Sequence, residues 1–521
     1  MKNNSILSNN IFLNFKNDFL NSRKYWVIYL LLVLFFIFTN FKLINYLNPL
    51  FEMVIVLIIS LGGIFCIVYY YGHNDDKELY KTAFLIILIF GILCSMLMPF
   101  GCAPDEYEHI VRSEITSRGI IVPEYTNESY SSIMAISDLL NSFTQQRGEY
   151  YNLISVENAT VFTNDVDSLS INNSEFHFHS AFAQNPFYGY LAQALGIFIA
   201  KLLDLNLIWM LWLGRICNLL LYAGLVSYAV KKTPILKIPF IIVACMPLML
   251  YQASSMSIDA FINGLALVIF AYFFYLYKSP MNSLTYKEPI IFAVLCLILG
   301  LTKITFFLFV FLLLLIPIVN FKKSKYYYYS FILIVALGAL GLIWTSTYAH
   351  VGFNNSYRSQ FYIDRNVNVS AQLSYVLNHK KDFIIAVLNI PQHLDIDLMF
   401  NSRDLYFNSF NSLYLMFLGS VILMYPISKQ TFKIRGGLLL FVVGIYIATY
   451  VTFLFTWTPV GQLDNIGGVQ QRYFLPLFTL LPLIFSFNRS LEDKKRINSI
   501  LILLTICFLA LMIISLIGFY Y

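Results

Sequence analysis

Windows of about twenty apolar residues recur along nearly the whole 521-residue chain, and no other feature restricts its fold as much. In hydrocarbon every backbone N–H and C=O must be satisfied within the protein, so runs of this length read as helices that cross a bilayer. Thirteen can be marked: 25–46, 50–71, 80–100, 208–230, 235–254, 257–277, 289–302, 304–320, 327–348, 410–428, 436–457, 473–487 and 497–519. Composition agrees, since 59% of the residues are hydrophobic and only 12% are charged, where a soluble domain carries about 25% charge. The expected class is an all-α polytopic membrane protein. Residues 1–24 read as a cytoplasmic segment and 25–519 as one transmembrane domain. No small-residue cleavage site follows the first apolar run, so that run reads as a retained helix rather than a signal peptide.

The net charge of +6 does not point to nucleic acid, because Lys and Arg lie in short loops between apolar runs and form no dense stripe. The seven cysteines make no CxxC or Cys/His cluster. Most sit inside apolar runs, where a thiol packs as a small apolar group.

Basic loops favour the cytoplasmic side. Lys16, Arg23 and Lys24 precede the first span and place the N-terminus inside. The segment 186–203 then decides the rest. If it crossed the membrane, three basic groups would fall outside: Lys231, Lys232 and Lys237; Lys322, Lys323 and Lys325; and Arg489 with Lys494 to Arg496. If it stays at the outer face, all three are inside. It is therefore expected to be a re-entrant or surface-lying helix. Large extracytoplasmic loops are expected at 101–207, 349–409 and 458–472.

Charge is rare in this chain, so its positions carry information. "GCAPDEYEHIVRSEI", Gly101 to Ile115, places Asp105, Glu106, Glu108 and His109 just beyond a span. Asp105, Glu108 and His109 are i, i+3 and i+4, one face of a helix. Such a group can be a general base, part of a metal shell or a cation clamp; equally, the acids can cap a surface helix. Asp259, in "MPLMLYQASSMSIDAFING", opens an apolar helix, where an ionisable group is either functional or a cap. Lys303 in "GLTKITFF" can hold a phosphate or carboxylate, or snorkel to the interface. Arg215 in "MLWLGRICNLLL" lies about two turns into its span and needs an anion there, from a lipid, a substrate or the bundle itself. In "DNIGGVQQRYFLP" a Gly pair permits close backbone approach, and Arg472 stands just outside the next span. Glu175, His177 and His179 in "EFHFHSAFAQNPFYGY" share a face if extended, but without a further ligand they read as a polar loop strand.

Taken in order, "PDEYEH", "HSAFAQNPFYGYLAQALG", "LGRICNLLLY", "MPLMLYQASSMSIDAF", "GLTKITFF" and "GGVQQRYFLPL" resemble the bacterial membrane proteins of domain-of-unknown-function family 2142, over roughly residues 80–490. That family is similar to a branch of the GT-C glycosyltransferases. The chain departs from the family pattern at "QNPFY", where a Pro pair usually precedes the aromatic, and at Gln471, where Gly often precedes the Arg. The resemblance implies a GT-C-like bundle of about thirteen spans in the bacterial cytoplasmic membrane, with its active site facing outside. It implies a polyprenyl-phosphate-linked sugar donor and an envelope acceptor that is a glycan, a lipid or a protein. Asp105 and Glu106 match the acidic pair that supplies the base or orients the acceptor. Arg215, Lys303 and Arg472 are positions that can hold a donor phosphate, with Glu108, His109, Asp259 and Gln471 as further substrate contacts. Some members use a divalent cation, here Mg²⁺ or Mn²⁺, for which Asp105, Glu108 and His109 would give part of a shell. Two other readings remain open, a transporter or flippase of lipid-linked glycans and a non-catalytic membrane scaffold.

Overall fold

The computed structural model describes residues 13–40, 49–98, 100–101, 103–122, 130–133, 171, 175–178, 182, 185–349, 359–393, 398, 405–427, 430–464, 466–487 and 494–520. The order of helices is α1 (Arg23–Asn40), α2 (Pro49–Gly72), α3 (Leu79–Leu97), α4 (Glu106–Ser117), α5 (Leu191–Leu202), α6 (Leu207–Lys232), α7 (Lys237–Ala244), α8 (Pro247–Ala253) and α9 (Asp259–Lys278). Then come α10 (Lys287–Thr302), α11 (Ser324–Trp344), α12 (Ser359–Asp364), α13 (Val369–Asn378), α14 (Lys380–Asn389), α15 (Leu405–Met424), α16 (Phe432–Thr456), α17 (Leu481–Phe485) and α18 (Lys494–Tyr520). Among the described residues the fold is all-α apart from one antiparallel ribbon, in which β1 (Tyr130–Ile133) pairs with β2 (Glu175–Phe178), Ser131 opposite His177. The strand expected around Glu175 and His177 is thus present in the backbone, while His179 lies outside the described residues.

Among the described residues, seven helices are long and apolar enough to cross a membrane: α2, α3, α6, α9, α11, α16 and α18. The leading segment Leu13–Asn21 and α1 meet at 65° and make an eighth if counted as one span. Of the remaining five marked runs, 289–302 is the 16-residue α10, 410–428 falls on α15, whose apolar part Phe410–Met424 is shorter than a span, and three are broken. The run 235–254 divides into α7 and α8 at Cys245 and Met246, ahead of Pro247. The run 304–320 is a 3-10 helix, Ile304–Leu315, that stops before Pro317. In 473–487 the prolines Pro476 and Pro482 accompany a 3-10 helix, Gln471–Thr479, and the five-residue α17. Proline removes a donor and crowds the preceding turn, so an apolar window need not be one helix. Hydropathy counts apolar length and is blind to these interruptions.

Burial sorts the spans. Of the apolar stretch of α9, 83% is buried, whereas in α11 only 17% is. A helix that is apolar all round suits either a bundle centre or a lipid-facing rim. The segment 186–203 is a 3-10 turn, Phe187–Tyr190, leading into α5. At 12 residues α5 is about 18 Å long, short of a hydrocarbon core of about 30 Å. Ala194, Ile197 and Ala200 are buried, while Leu191, Leu195, Phe198 and Leu202 are exposed along the opposite stripe. Gly196 lets α5 approach α6, since a Cβ there would overlap the Leu213 carbonyl. Close backbone packing at small residues is how helices associate where apolar burial gives little preference.

Candidate functional site

Helix α3 delivers the chain to a turn in which Gly101 has φ +81° and Asp105 has φ +59°. The left-handed conformation at Asp105 is tolerated by Asp better than by most residues. It turns the carboxylate away from capping: Asp105 is the residue before α4 but makes no side-chain cap hydrogen bond. Its Oδ2 instead accepts a hydrogen bond from Nη2 of Arg472 at 2.5 Å. Nη1 of Arg472 donates to the Pro104 carbonyl at 3.1 Å. The same nitrogen lies 3.1 Å from Oδ2 of Asp259, an ion pair without hydrogen-bond alignment. One guanidinium, 8% exposed, thus bridges two carboxylates 154 positions apart in sequence whose numbers are 105 and 259.

Asp259 is held there by its neighbours. The backbone N–H of Asp259 donates to Oγ of Ser257 at 3.1 Å, so Ser257 does the capping that Asp259 itself could have done. Asn218 of α6 donates to the carbonyls of Ser255 and Ser257 at 2.8 and 2.9 Å and fixes the turn ahead of α9. Lys303, between α10 and the 3-10 helix that follows, stands over the Tyr473 ring with Nζ 2.6 Å from the centroid. Its electrostatic neighbours are Asp259 and Arg472. Among the described residues, Nζ of Lys303 has no hydrogen bond or ion pair, and Nε of Arg472 has no hydrogen-bond partner.

Glu106 and Arg215 have a different place. Both are fully buried, and Glu106 accepts from Arg215 through both oxygens, Nε to Oε1 at 2.8 Å and Nη2 to Oε2 at 2.7 Å. The backbone N–H groups of Met256 and Gly101 also donate to this carboxylate, each at 2.9 Å. Arg215 Nη1 donates to the carbonyls of Ser95 and Met98 at 2.9 and 2.5 Å. Of the anions that a buried arginine requires, the bundle itself supplies this one. The pair ties α3, α4, α6 and the turn before α9 together beneath Asp105.

His109 lies one turn along α4, and is buried. Its Nδ1 is 2.8 Å from the Tyr190 hydroxyl, and its ring stacks on Phe182 at 4.7 Å. Burial pushes its pKa down to about 4, against the opposing pull of Asp259 and Asp105. Glu108 is buried on the same helix, and Gln471 is half-buried beside Arg472. The chain bends at the Gly467–Gly468 pair, with Gly468 at φ +81° and the Trp457 ring where its Cβ would be. Close approach there is to an aromatic side chain of the same chain.

The family model described as predicted membrane protein (DUF2142) matches residues 88–481. The chain belongs to the DUF2142 family. The match runs from within α3 to the first residue of α17 and includes Asp105, Asp259, Lys303 and Arg472. No curated protein and no solved structure matches the chain.

In this DUF2142 chain, no group of three or more His, Cys, Asp or Glu is placed to hold a metal ion among the described residues. The three-residue shell of Asp105, Glu108 and His109 does not assemble. The turn sends Asp105 to Arg472, and the Tyr190 hydroxyl occupies Nδ1 of His109. The described cysteines are free thiols, all buried except the half-buried Cys217, and Cys102 lies outside the described residues.

Sequence reasoning missed Arg112. It is fully buried and donates to the carbonyls of Asn185 and Ile121 at 3.1 and 2.9 Å, tying α4 to the chain that enters α5. It also missed Glu114, which pairs with Lys201 of α5 at 2.6 Å and with Arg118. The available signal was the sequence of α4, a polar helix whose charges recur every three or four residues next to spans. A polar stripe on a short helix reads as a solvated face until its neighbours are known.

Proposed function

We propose that this chain is a membrane glycosyltransferase of the GT-C kind, transferring a sugar from a polyprenyl-phosphate-linked donor to an envelope glycan, lipid or protein at the extracytoplasmic face of the bacterial cytoplasmic membrane. The observation that carries the reading is the Asp105–Arg472–Asp259 network with Lys303 beside it. A lipid-linked sugar brings an anionic leaving group to the membrane edge, and such a group needs fixed cations. Lys303, without an ion partner among the described residues, and Arg472 are suited to that phosphate.

In the reaction, the acceptor oxygen forms a bond to the anomeric carbon while the bond from that carbon to the phosphate oxygen breaks. The acceptor proton passes to Asp105, whose side chain is 30% exposed, and the polyprenyl phosphate leaves with the bonding electrons. Arrival of the phosphate gives Arg472 a third anion beside Asp105 and Asp259 and loosens its hold on Asp105. Glu106 has no free oxygen for this role, since each already accepts from Arg215 and a backbone N–H. The full GT-C-like arrangement with about thirteen crossings belongs to the same proposal, the short and broken segments counting as crossings within the bundle.

The test is transfer of a radiolabelled sugar in proteoliposomes, wild type against Asp105→Asn. Loss of transfer on the order of a hundredfold or more supports the assignment, and full retention overturns it. A second reading, a flippase for lipid-linked glycans, is favoured by one observation: Arg472 lies on a broken membrane segment, the kind of element that forms transporter sites. Movement of the labelled lipid across the bilayer without any acceptor would establish that reading instead.

A further inference from the structure

Away from the charged cluster, at the opposite ends of the same helices, lies a cavity of about 160 Å³. Helix α3 leads from the turn that holds Asp76 at this end to the turn that holds Gly101 and Asp105 at the other, and α6 runs back from Arg215 to Lys232. A single water needs about 10–15 Å³ on this measure, so the space is large enough for a polyatomic group. Its lining has two halves. Lys237, Lys494, Asp76 and Gln430 stand on the polar one, and the apolar one includes Ile235, Ile427 and Leu483. These residues come from the α2–α3 turn, the α6–α7 turn with the start of α7, the turn after α15, helix α17 and the start of α18.

The cations are under-used. Lys237 Nζ donates to the Asp76 backbone carbonyl at 2.7 Å, one bond of the three an ammonium can make. Lys494 Nζ stands 4.0 Å from the Asp76 carboxylate, beyond hydrogen-bond distance. That carboxylate is itself 61% exposed and is free to turn outward. Two lysines face one acid, so the polar half retains a net positive charge next to apolar walls.

We propose that this cavity binds the phosphate of an anionic membrane lipid. Lys237 and Lys494 engage the phosphate, and Ile235, Ile427 and Leu483 receive the first carbons of the lipid chains. Basic pockets between helix ends are suited to such head groups. A free inorganic phosphate shares the charge but has no use for the apolar half, which is why the lipid is the favoured source. The site is independent of the transferase reading, because none of its residues belongs to the Arg472 network.

The experiment uses the full chain in detergent micelles, with binding read by native mass spectrometry and by the unfolding midpoint. Three probes are compared: phosphatidylglycerol, phosphatidylcholine and inorganic phosphate. Phosphatidylglycerol alone should bind and raise the midpoint. Its affinity should fall on the order of tenfold or more in the Lys237→Gln/Lys494→Gln variant and survive in Lys322→Gln/Lys323→Gln, which alters exposed lysines outside the cavity. Ile427→Trp, which fills the apolar half without changing charge, should weaken binding as well and guards against a double variant that fails to fold. Equal binding by all these variants would overturn the site. Equal effectiveness of inorganic phosphate, or of phosphatidylcholine, would overturn the anionic-lipid assignment.

Discussion

Glu106 and Arg215 are joined by two parallel hydrogen bonds, 2.8 and 2.7 Å long, with neither side chain exposed. Their sequence positions are on different helices, and the pair is the deepest ionic link beneath the candidate site. Removing one partner of such a pair strands a charge in a medium that cannot solvate it, at a cost of about 3–5 kcal/mol. Arg215→Met and Glu106→Leu should each sharply lower the unfolding midpoint in detergent. The double variant Glu106→Leu/Arg215→Met should recover much of the loss, since no charge is left unpaired. Single variants as stable as wild type would show that the pair does not carry the fold.

Asp105 is expected to behave differently, because it is partly exposed and makes its ion pair at the rim. Asp105→Asn keeps the shape of the side chain and should leave the unfolding midpoint near that of wild type. Under the transferase reading it abolishes sugar transfer in the same preparation. A variant that instead unfolds would make Asp105 a structural residue.

Lys303 and Arg472 should separate in binding rather than stability. Lys303→Ala removes an ammonium whose contact is to the Tyr473 ring, and should weaken polyprenyl-phosphate binding by about tenfold at an interaction of about 1.4 kcal/mol. Lys303→Arg should retain most of the affinity. Isothermal titration with short-chain polyprenyl phosphate reads both. Unchanged affinity in Lys303→Ala would remove the lysine from the donor site.

His109 gives a pH signature. Its folded pKa is near 4, below the ordinary 6.5, because burial disfavours the imidazolium. Between those values the unfolded chain takes up a proton that the folded chain does not. Stability is therefore complete above about pH 6.5 and falls as the pH drops toward 4, with a slope of at most about 1.4 kcal/mol per unit. Unfolding midpoints at pH 7.5, 6 and 5 should show this slope, and His109→Gln should flatten it. An identical slope in the variant would assign the effect to other groups.

Gly196 tests where α5 sits. A Cβ there meets the Leu213 backbone of α6, which cannot swing aside as a side chain tip can. Gly196→Ala should destabilise by about 1–3 kcal/mol, the usual effect of overpacking. Gly224→Ala, on α6 with open space at the same test, should be neutral or slightly stabilising, as Ala favours helix. Equal effects of the two would mean that α5 does not pack as described.

Much of this molecule is legible one segment at a time. The long apolar helices, the short helix at 191–202 and the polar character of α4 follow from hydropathy and length, which are local properties. So does the rarity of charge that singles out Asp105, Asp259, Lys303 and Arg472. The broken segments are less legible, because Pro247, Pro476 and Pro482 sit within windows that remain apolar on average.

The order of residues is enough to establish a helical membrane protein with few charges, and where along the chain they fall. Which charge meets which follows from the packing of the helices. It assigned Glu106 to Arg215 and Asp105 to Arg472, although the two acids are adjacent and either pairing satisfies the charges. The reason is geometric. A left-handed residue at 105 and a helix starting at 106 send neighbouring carboxylates in different directions, one into the bundle and one toward its rim. Pairings over more than a hundred positions depend on how helices pack, and no local window contains that information.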